Sequence, residues 1–235
     1  MVVRPLITCE HAGNFIPPAY GHLFEGHSEV LRSHRGWDPG ALEIAEYLSN
    51  ELNASLFKCH ATRLLVEPNR SLWSTSLFSE YSAGLTVSER EEVLRQFYYP
   101  HRSGVEEWIK NSRESVLHLS IHSFTPVFGG VTRDVDIGLL FDPSRKKESD
   151  FCAIYKKALE ISLSSCTIKF NEPYKGIDDG FTTHLRQQFG DDRYLGIEIE
   201  VNQRYTDEAH VVICAGLHVA LMRAIDHLGD SGVTV

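Results

Sequence analysis

Residues 6–14 read LITCEHAGN, a short apolar run that passes directly into a polar turn. Two later stretches repeat this arrangement: residues 118–124 read HLSIHSF, and residues 196–203 read GIEIEVNQ. Short, mostly apolar runs are typical of strands that are buried on both faces, as in parallel sheets. In open α/β sheets, sites form beyond the carboxyl ends of the strands. The three stretches therefore predict a largely parallel sheet whose strand ends share one site.

Helical segments alternate with the strand-like runs. Apolar spacing predicts a helix over 39–52, with Asp38 as its cap. It also predicts one or two helices over 88–113, with a capping box at residues 88–91 and a break near Pro100. This alternation predicts an α/β chain with helices on both sheet faces, organised as one domain over 1–235. Further strands are predicted at 4–9, 55–59, 63–66, 116–121, 135–141, 167–170 and 194–201, and further helices at 150–164 and 209–228.

Charge and composition narrow the class of partner. The 235-residue chain has a net charge of −9 and no basic block, so we expect neither nucleic acid nor an anionic membrane as a partner. A carboxylate substrate would need local arginines. We expect a cytoplasmic protein, because no signal peptide is apparent and no stretch approaches the about 20 apolar residues of a membrane span. The five cysteines form no CxxC pair, which favours reduced thiols.

Two histidines at strand ends, His11 and His122, could be ligands of one metal ion. A zinc hydrolase typically uses three protein ligands and keeps one position for water. Asp38, at the entry of a predicted helix, is the best third ligand, with Glu10 and His34 as alternatives. Histidine and carboxylate ligands also suit other divalent metals. Each histidine alone could equally be an ordinary polar residue, since the chain has 12 of them.

Two carboxylates, Glu198 and Glu200, lie on one face of a predicted strand because residues i and i+2 point the same way. Such a pair could provide a general base, or a metal ligand and a base. The alternative is an edge strand with a solvated acidic face. Gln203 could orient a substrate or simply face water.

Arginines form the third element of the predicted site. Arg63, Arg70 and Arg133 could each make bidentate contacts with a carboxylate, although each alone could be a surface salt-bridge partner. The turn-rich segment 171–180 could cover a site or be an inert connection. Ser123 is a weak nucleophile candidate that has no clear partner in the sequence.

Seven stretches of the sequence, given at the end of this paragraph, resemble the N-formylglutamate amidohydrolase family. That family is similar to the zinc carboxypeptidases and aspartoacylases. The resemblance implies a three-layer α/β/α fold with a mostly parallel mixed sheet, of the phosphorylase/hydrolase-like type, and zinc at the strand ends. The carboxypeptidases have a glutamate three residues after the first histidine, where this chain has Asn14. The stretches are CEHAGNFIP (9–17), HRGWDPGA (34–41), RLLVEPNRSL (63–72), IHSFTPV (121–127), DIGLLFD (136–142), NEPYKG (171–176) and IEIEVNQ (197–203).

The resemblance also implies roles for individual residues. It implies that His11 and His122 bind zinc, with Asp38 as the most plausible carboxylate ligand. It implies that Glu200 rather than Glu198 is the general base, because a Glu-x-x-Gln pattern links it to Gln203.

The same resemblance implies that Asn69 and Arg70 hold the substrate carboxylate, with Arg63 and Arg133 nearby. An arginine near the zinc, for which we take Arg133, would stabilise the oxyanion. Gln203 is assigned to substrate binding.

The sequence thus predicts a zinc-dependent enzyme that hydrolyses a small anionic N-acyl amino acid, foremost N-formyl-L-glutamate to formate and glutamate. One alternative is a zinc hydrolase acting on another acyl amino acid or a peptidoglycan amide. Another is a non-catalytic protein that binds a small ligand on the same fold. The oligomeric state is left open.

Overall fold

A six-stranded sheet forms the centre of the computed structural model, which describes residues 3–206 and 208–230. The strand order is β2-β1-β3-β8-β6-β7, and every neighbouring pair is parallel except β6 and β8. Strands β4 and β5 form a separate antiparallel hairpin. The strands are β1 (Val3–Cys9), β2 (Ser55–Lys58), β3 (Ser115–Phe124), β4 (Val127–Phe128), β5 (Val131–Thr132), β6 (Ile137–Leu140), β7 (Ile168–Phe170) and β8 (Tyr194–Asn202).

Helices cover both faces of this sheet. Helices α2, α5 and α7 share one apolar core with the sheet, while α4 and α6 pack on the opposite face. The predicted three-layer α/β/α architecture with a mostly parallel mixed sheet is confirmed. The helices are α1 (Ser28–Arg32), α2 (Ala41–Leu52), α3 (Val87–Val93), α4 (Tyr99–Asn111), α5 (Lys146–Ser162), α6 (Phe181–Gln188) and α7 (His210–Asp230), with a π-helical segment at Leu94–Tyr98 and 3-10 turns at Pro18–Phe24 and Gln203–Tyr205.

The strand alternation decides which side chains reach the site. On β3 the odd-numbered residues from Leu117 to Ile121 pack into the core with α2, α5 and α7. The even-numbered residues, ending at His122, therefore face the α4 and α6 side. On β8, Ile199 packs into the same core, so its neighbour Glu200 also faces the α4 and α6 side.

Three local predictions are wrong. Residues 63–66 form a turn rather than a strand, because Leu65 N–H donates to the Thr62 carbonyl and the apolar side chains pack into a separate cluster. Asp38 does not cap α2: the helix begins after Gly40 and has no side-chain cap. The capping box lies at Thr86 and Glu89, two residues before the predicted start. Near Pro100 the helix changes its hydrogen-bonding pattern without breaking: the π-helical segment leads directly into α4, whose first turn holds Pro100.

The closing helix α7 corrects the expectation that no segment approaches the length of a membrane span. Its residues His210–Leu228 form a 19-residue stretch with mean hydropathy 1.6, long and apolar enough to cross a bilayer by length and composition alone. Core helices pass the same test, and one face of α7, including Leu217 and Leu221, is fully buried in the core that it shares with α5, α2 and the sheet. The five cysteines, all inside the described ranges, are free, as the sequence predicts.

Candidate active site

Three buried side chains converge at the carboxyl ends of β1 and β3. His11 lies in the turn after β1, Asp38 lies just before α2, and His122 lies near the end of β3. Asp38 Oδ2 is 3.0 Å from His11 Nδ1 and 2.9 Å from His122 Nδ1, and the two Nδ1 atoms are 3.2 Å apart. These are the three residues that the sequence predicts as metal ligands, and their ligand atoms can hold one metal ion.

The spacing and surroundings of these atoms fit a metal ion. Bonds of about 2.0–2.2 Å to a tetrahedral zinc place ligand atoms roughly 3.3 Å apart, close to the distances above. The outer nitrogen of each histidine also meets a carboxylate: His11 Nε2 lies 2.5 Å from Glu67 Oε1, and His122 Nε2 lies 3.2 Å from Glu10 Oε2. Metal-binding histidines commonly donate their second N–H to a carboxylate, which fixes the tautomer and the ring orientation.

The cluster is strongly coupled electrostatically. Burial acts to raise the pKa of Asp38, but the charge of His11 and hydrogen bonds from both histidines outweigh it, so the pKa is lowered. Burial acts to lower the pKa of His122, but hydrogen bonds to Asp38 and Glu10 raise it well above the ordinary value. The pKa of His11 is raised as well, because Glu67 and Asp38 overcome its burial and the charge of Arg63. The carboxylates therefore stay anionic and attract positive charge.

Glu200 lies beside this cluster with an unusual lack of partners. It is buried, and its Oε2 atom has no hydrogen-bond partner among the described residues. Burial raises the pKa of Glu200 to about 7, with the charges of Asp38 and Glu198 adding to the effect and His122 opposing it. Glu198 differs, because its Oε1 accepts a hydrogen bond from the Thr182 hydroxyl. Of the two carboxylates, Glu200 is therefore the better placed to accept a proton near neutral pH.

A cavity of about 170 Å³ opens onto the cluster. It is small for a ligand site, which typically measures about 300–1,000 Å³. The segment between β7 and α6 forms one wall, so the predicted covering role of residues 171–180 agrees with where this segment lies. The cavity is lined by His11, Asp38, Arg63, Asn69, Arg70, His122, Ser123, Tyr174, Lys175, Asp178, Asp179, Gly180, Glu198 and Glu200.

Arg70 and Asn69, predicted to hold a substrate carboxylate, both line this cavity. Arg70 Nη1 donates to the carbonyls of Asn69 (2.8 Å) and Asp179 (2.9 Å), and within the described ranges no other atom of its guanidinium donates a hydrogen bond. Asn69 is buried, accepts from Phe181 N–H at 2.6 Å and approaches His122 Nε2 at 3.4 Å. Arg70 therefore offers donors to a ligand, whereas Asn69 is largely committed to the protein.

Arg63 also lines the cavity, but its guanidinium closes a ring of charged side chains. Nη1 donates to Asp38 Oδ1 at 3.1 Å, and Nε donates to Glu67 Oε2 at 2.7 Å. Because Asp38 and Glu67 both contact His11, the ring runs Arg63, Asp38, His11, Glu67 and back. The structure thus places Arg63 where it holds a predicted metal ligand.

Neither Arg133 nor Gln203 belongs to the described cavity wall. Arg133 lies behind Tyr174, donating to its hydroxyl at 3.2 Å and stacking on its ring. Gln203 Nε2 donates to Ser123 Oγ at 3.0 Å. Ser123 Oγ in turn donates to the Pro39 carbonyl at 2.7 Å, which commits its hydrogen and argues against a nucleophile.

The two alternative metal ligands lie outside the cluster. Glu10 is behind His122, on the side away from Asp38. His34 is exposed and has no place in the cavity wall that the structure describes.

Sequence reasoning missed Glu67, whose carboxylate joins His11 to Arg63. A signal was available, because residues 64–70 (LLVEPNR) repeat the pattern of an apolar run followed by a polar turn. The sequence also gives no sign of individual roles for Lys175 and Tyr174, although it indicates that the segment 171–180, which carries them, could cover a site.

Fold and site together define a three-layer α/β protein with a buried His–Asp–His cluster at the strand ends. Among solved structures, the gene product Atu2144 of Agrobacterium tumefaciens is 31% identical, with a TM-score of 0.81 over 97% of this chain and 92% of that one. An N-formylglutamate amidohydrolase from Ralstonia eutropha JMP134 is 18% identical, with a TM-score of 0.63 over 99% and 96% of the two chains, and shows the fold. No curated protein matches at a significant level.

The N-formylglutamate amidohydrolase family matches the sequence over residues 3–206. The chain belongs to this family and is therefore an amidohydrolase, as the resemblance of its motifs predicted.

Proposed function

We propose that this amidohydrolase depends on zinc and cleaves N-formyl-L-glutamate to formate and glutamate, with residues 1–235 acting as one domain. One observation carries the proposal. The two buried histidines His11 and His122 share Asp38 through their inner nitrogens, each is backed by a carboxylate, and Glu200 stands beside them with an unpartnered oxygen. The family assignment supplies the reaction class.

His11, Asp38 and His122 would hold the metal ion. A bound zinc ion supplies Lewis-acid chemistry, polarising a carbonyl and bringing the pKa of water from 15.7 towards about 7. The three side chains are 2–3% exposed, so they are kept dry enough for such electrostatic effects to be strong.

Glu200 would be the general base. Its raised pKa lets its carboxylate take a proton from the attacking water and then pass that proton to the amine that leaves. Glu198, held by Thr182, would add negative charge beside Glu200 and so help to keep its pKa raised.

Two cations would bind the two carboxylates of the substrate. Arg70 and Lys175 line the cavity from different segments, and Arg70 keeps donors that no described residue uses. Because Arg63 is held by two protein carboxylates, we assign it to positioning Asp38 rather than to the substrate. We assign Arg133 an indirect role, holding Tyr174 at the cavity wall, in place of direct oxyanion stabilisation.

Asn69 would shape the cavity beside His122, and Gln203 would orient Ser123.

The small cavity favours a formyl group over a larger acyl group. An experiment must separate this proposal from two alternatives. One is a zinc hydrolase that acts on another acyl amino acid or a peptidoglycan amide, and the other is a non-catalytic binding protein.

The test is metal content of protein purified without added metal, combined with formate release from N-formyl-L-glutamate before and after chelation. Near-stoichiometric zinc with chelator-sensitive formate release is the expected result. Zinc without formate release would mean that N-formyl-L-glutamate is not the substrate. N-acetyl and N-succinyl amino acids would then be tested. If the protein neither holds zinc nor releases formate, even after zinc is added back, the proposed zinc-dependent activity would be contradicted and a binding protein favoured.

A further inference from the structure

A buried chain of side chains runs from His122 away from the cavity into the helical layer. His122 Nε2 lies 3.2 Å from Glu10 Oε2, and Glu10 Oε1 lies 3.3 Å from His101 Nε2 on α4. We propose that Glu10 and His101 are positioning residues that set the metal affinity of the site through His122. This inference rests on the proposed function, because it requires His122 to be a metal ligand.

Glu10 is the centre of this chain and is fully buried. Ser120 Oγ donates to Glu10 Oε2 at 2.7 Å, so this oxygen is held from β3, while Oε1 faces His101 alone among the described residues. Loss of the His101 ring nitrogen would leave Oε1 as a buried, unpaired carboxylate oxygen, which is costly. Glu10 would then rotate or shift, and His122 would lose its fixed orientation.

The two histidine ligands are supported differently. His11 lies in the closed ring that Arg63 completes from the cavity wall. The support of His122 instead continues outward to His101, which also lines a second cavity of about 350 Å³. The two cavities share none of the lining residues that the structure describes. A change at His101 therefore reaches the metal through Glu10 and His122 and alters no residue of the substrate cavity wall. The other contact of His101, with the ring of Phe181, whose N–H donates to Asn69, is one that His118 shares.

His118 provides a matched control. It lies on β3 four residues before His122, is buried like His101, and packs against the same ring of Phe181. Its hydrogen bonds go to Thr8 (2.8 Å) and Tyr194 (2.6 Å). Replacing His118 removes a buried histidine from the same layer without removing a hydrogen-bond partner of Glu10.

The experiment measures the Zn²⁺ dissociation constant of metal-free protein by competition with a chelating indicator, alongside the melting temperature. Variants of residues that support a metal ligand typically weaken binding about 10–100-fold. We expect a loss in this range for Glu10→Gln and His101→Phe, while His101→Gln, whose amide can still donate to Glu10, recovers most of the affinity. His118→Phe should lower the melting temperature but leave the dissociation constant within about twofold.

Equal weakening by His101→Phe and His118→Phe would show a general packing effect and overturn the proposal. An unchanged dissociation constant in Glu10→Gln and His101→Phe would also overturn it, while leaving the zinc enzyme intact. If the wild-type protein itself fails to bind Zn²⁺, the proposed function fails and this inference fails with it.

Discussion

Glu200 and His122 are register partners on the adjacent parallel strands β8 and β3. The spacing between the proposed base and a proposed metal ligand is therefore fixed by backbone hydrogen bonds of the sheet. A slip of one residue would replace Glu200 with Ile199 or Val201, whose side chains belong to the opposite face. The geometry of the site is in this sense a property of strand register.

Glu200→Gln should reduce kcat by about 10²–10⁴-fold, the usual contribution of general acid–base catalysis. Zinc content should stay unchanged, because Glu200 is not part of the His–Asp–His cluster. Glu198→Gln is the control on the same strand face, and its effect should be smaller because Glu198 is held by Thr182. A loss below tenfold in Glu200→Gln would reject Glu200 as the base.

The raised pKa of Glu200 predicts a pH-dependent stability difference in metal-free protein. Between pH 4.5 and about 7 the folded state keeps a proton on Glu200 that the unfolded state releases. The contribution of Glu200 to the unfolding free energy therefore falls as pH rises through this window. At about 1.36 kcal/mol per pKa unit, the unfolding free energy that Glu200 contributes falls by about 3 kcal/mol across the whole window.

Urea unfolding should thus find Glu200→Gln similar to wild type near pH 4.5 and more stable than wild type at pH 8. Comparing the two proteins at each pH cancels the titration of the other groups. A difference that does not change with pH would mean that Glu200 titrates normally in the folded protein.

Arg63→Met should destabilise metal-free protein by about 3–5 kcal/mol, because it leaves Asp38 and Glu67 without their shared cation. Added zinc should restore more stability to this variant than to wild type, since the ion replaces the missing positive charge. The control is Arg63→Lys, which keeps the charge. Thermal unfolding with and without zinc measures both effects. A raised KM with an unchanged melting temperature would instead mean that Arg63 binds the substrate, as the sequence predicts.

Lys175→Met should reduce discrimination between N-formyl-L-glutamate and N-formyl-L-glutamine. A charge-assisted hydrogen bond contributes about 1.5–3 kcal/mol, so the ratio of the two kcat/KM values should fall about 10–100-fold. Lys175 is exposed, so the melting temperature should not change. Equal loss of kcat/KM for both substrates would mean that Lys175 does not recognise the side-chain carboxylate.

Gly138→Ala should disturb the wall of the cavity. Gly138 is the register partner of Glu200 on β6, and an added Cβ would overlap the carbonyl oxygen of Glu172 at the start of the covering segment. We expect a higher KM and a lower melting temperature with zinc retained. Gly84→Ala, where a Cβ would meet nothing within 4 Å, is the control. Unchanged kinetics in Gly138→Ala would mean that the segment moves freely away.

The sequence was informative where strand geometry alone determines position. Parallel strands end at one edge of a sheet, so His11, His122 and Glu200 could be expected to meet there, and the structure brings them together. The placement of Glu198 and Glu200 on one face of β8 also follows directly from the two-residue period of a strand. Asp38 was found by its place at a helix entry, although its predicted capping role is wrong.

The sequence was least informative where a side chain finds its partner through tertiary packing. Residues 63–66 are as apolar as a strand, yet they form a turn, and this turn carries Glu67 to His11. Arg133 follows a strand-end histidine closely in sequence, but the β4–β5 hairpin places it outside the cavity wall. Neither outcome is encoded in local periodicity.

The strand order has a consequence for how the chain is made. Among the strands that the structure describes, β8 is the last to be synthesised, yet it lies between β3 and β6, in the interior of the sheet. Until it arrives, β2, β1 and β3 on one side and β6 and β7 on the other can form only two separate half-sheets, each with an open edge that invites aggregation. We expect the final strand to join the halves late in synthesis. Since that strand carries Glu200, the nascent chain completes its sheet and its proposed catalytic base in the same step.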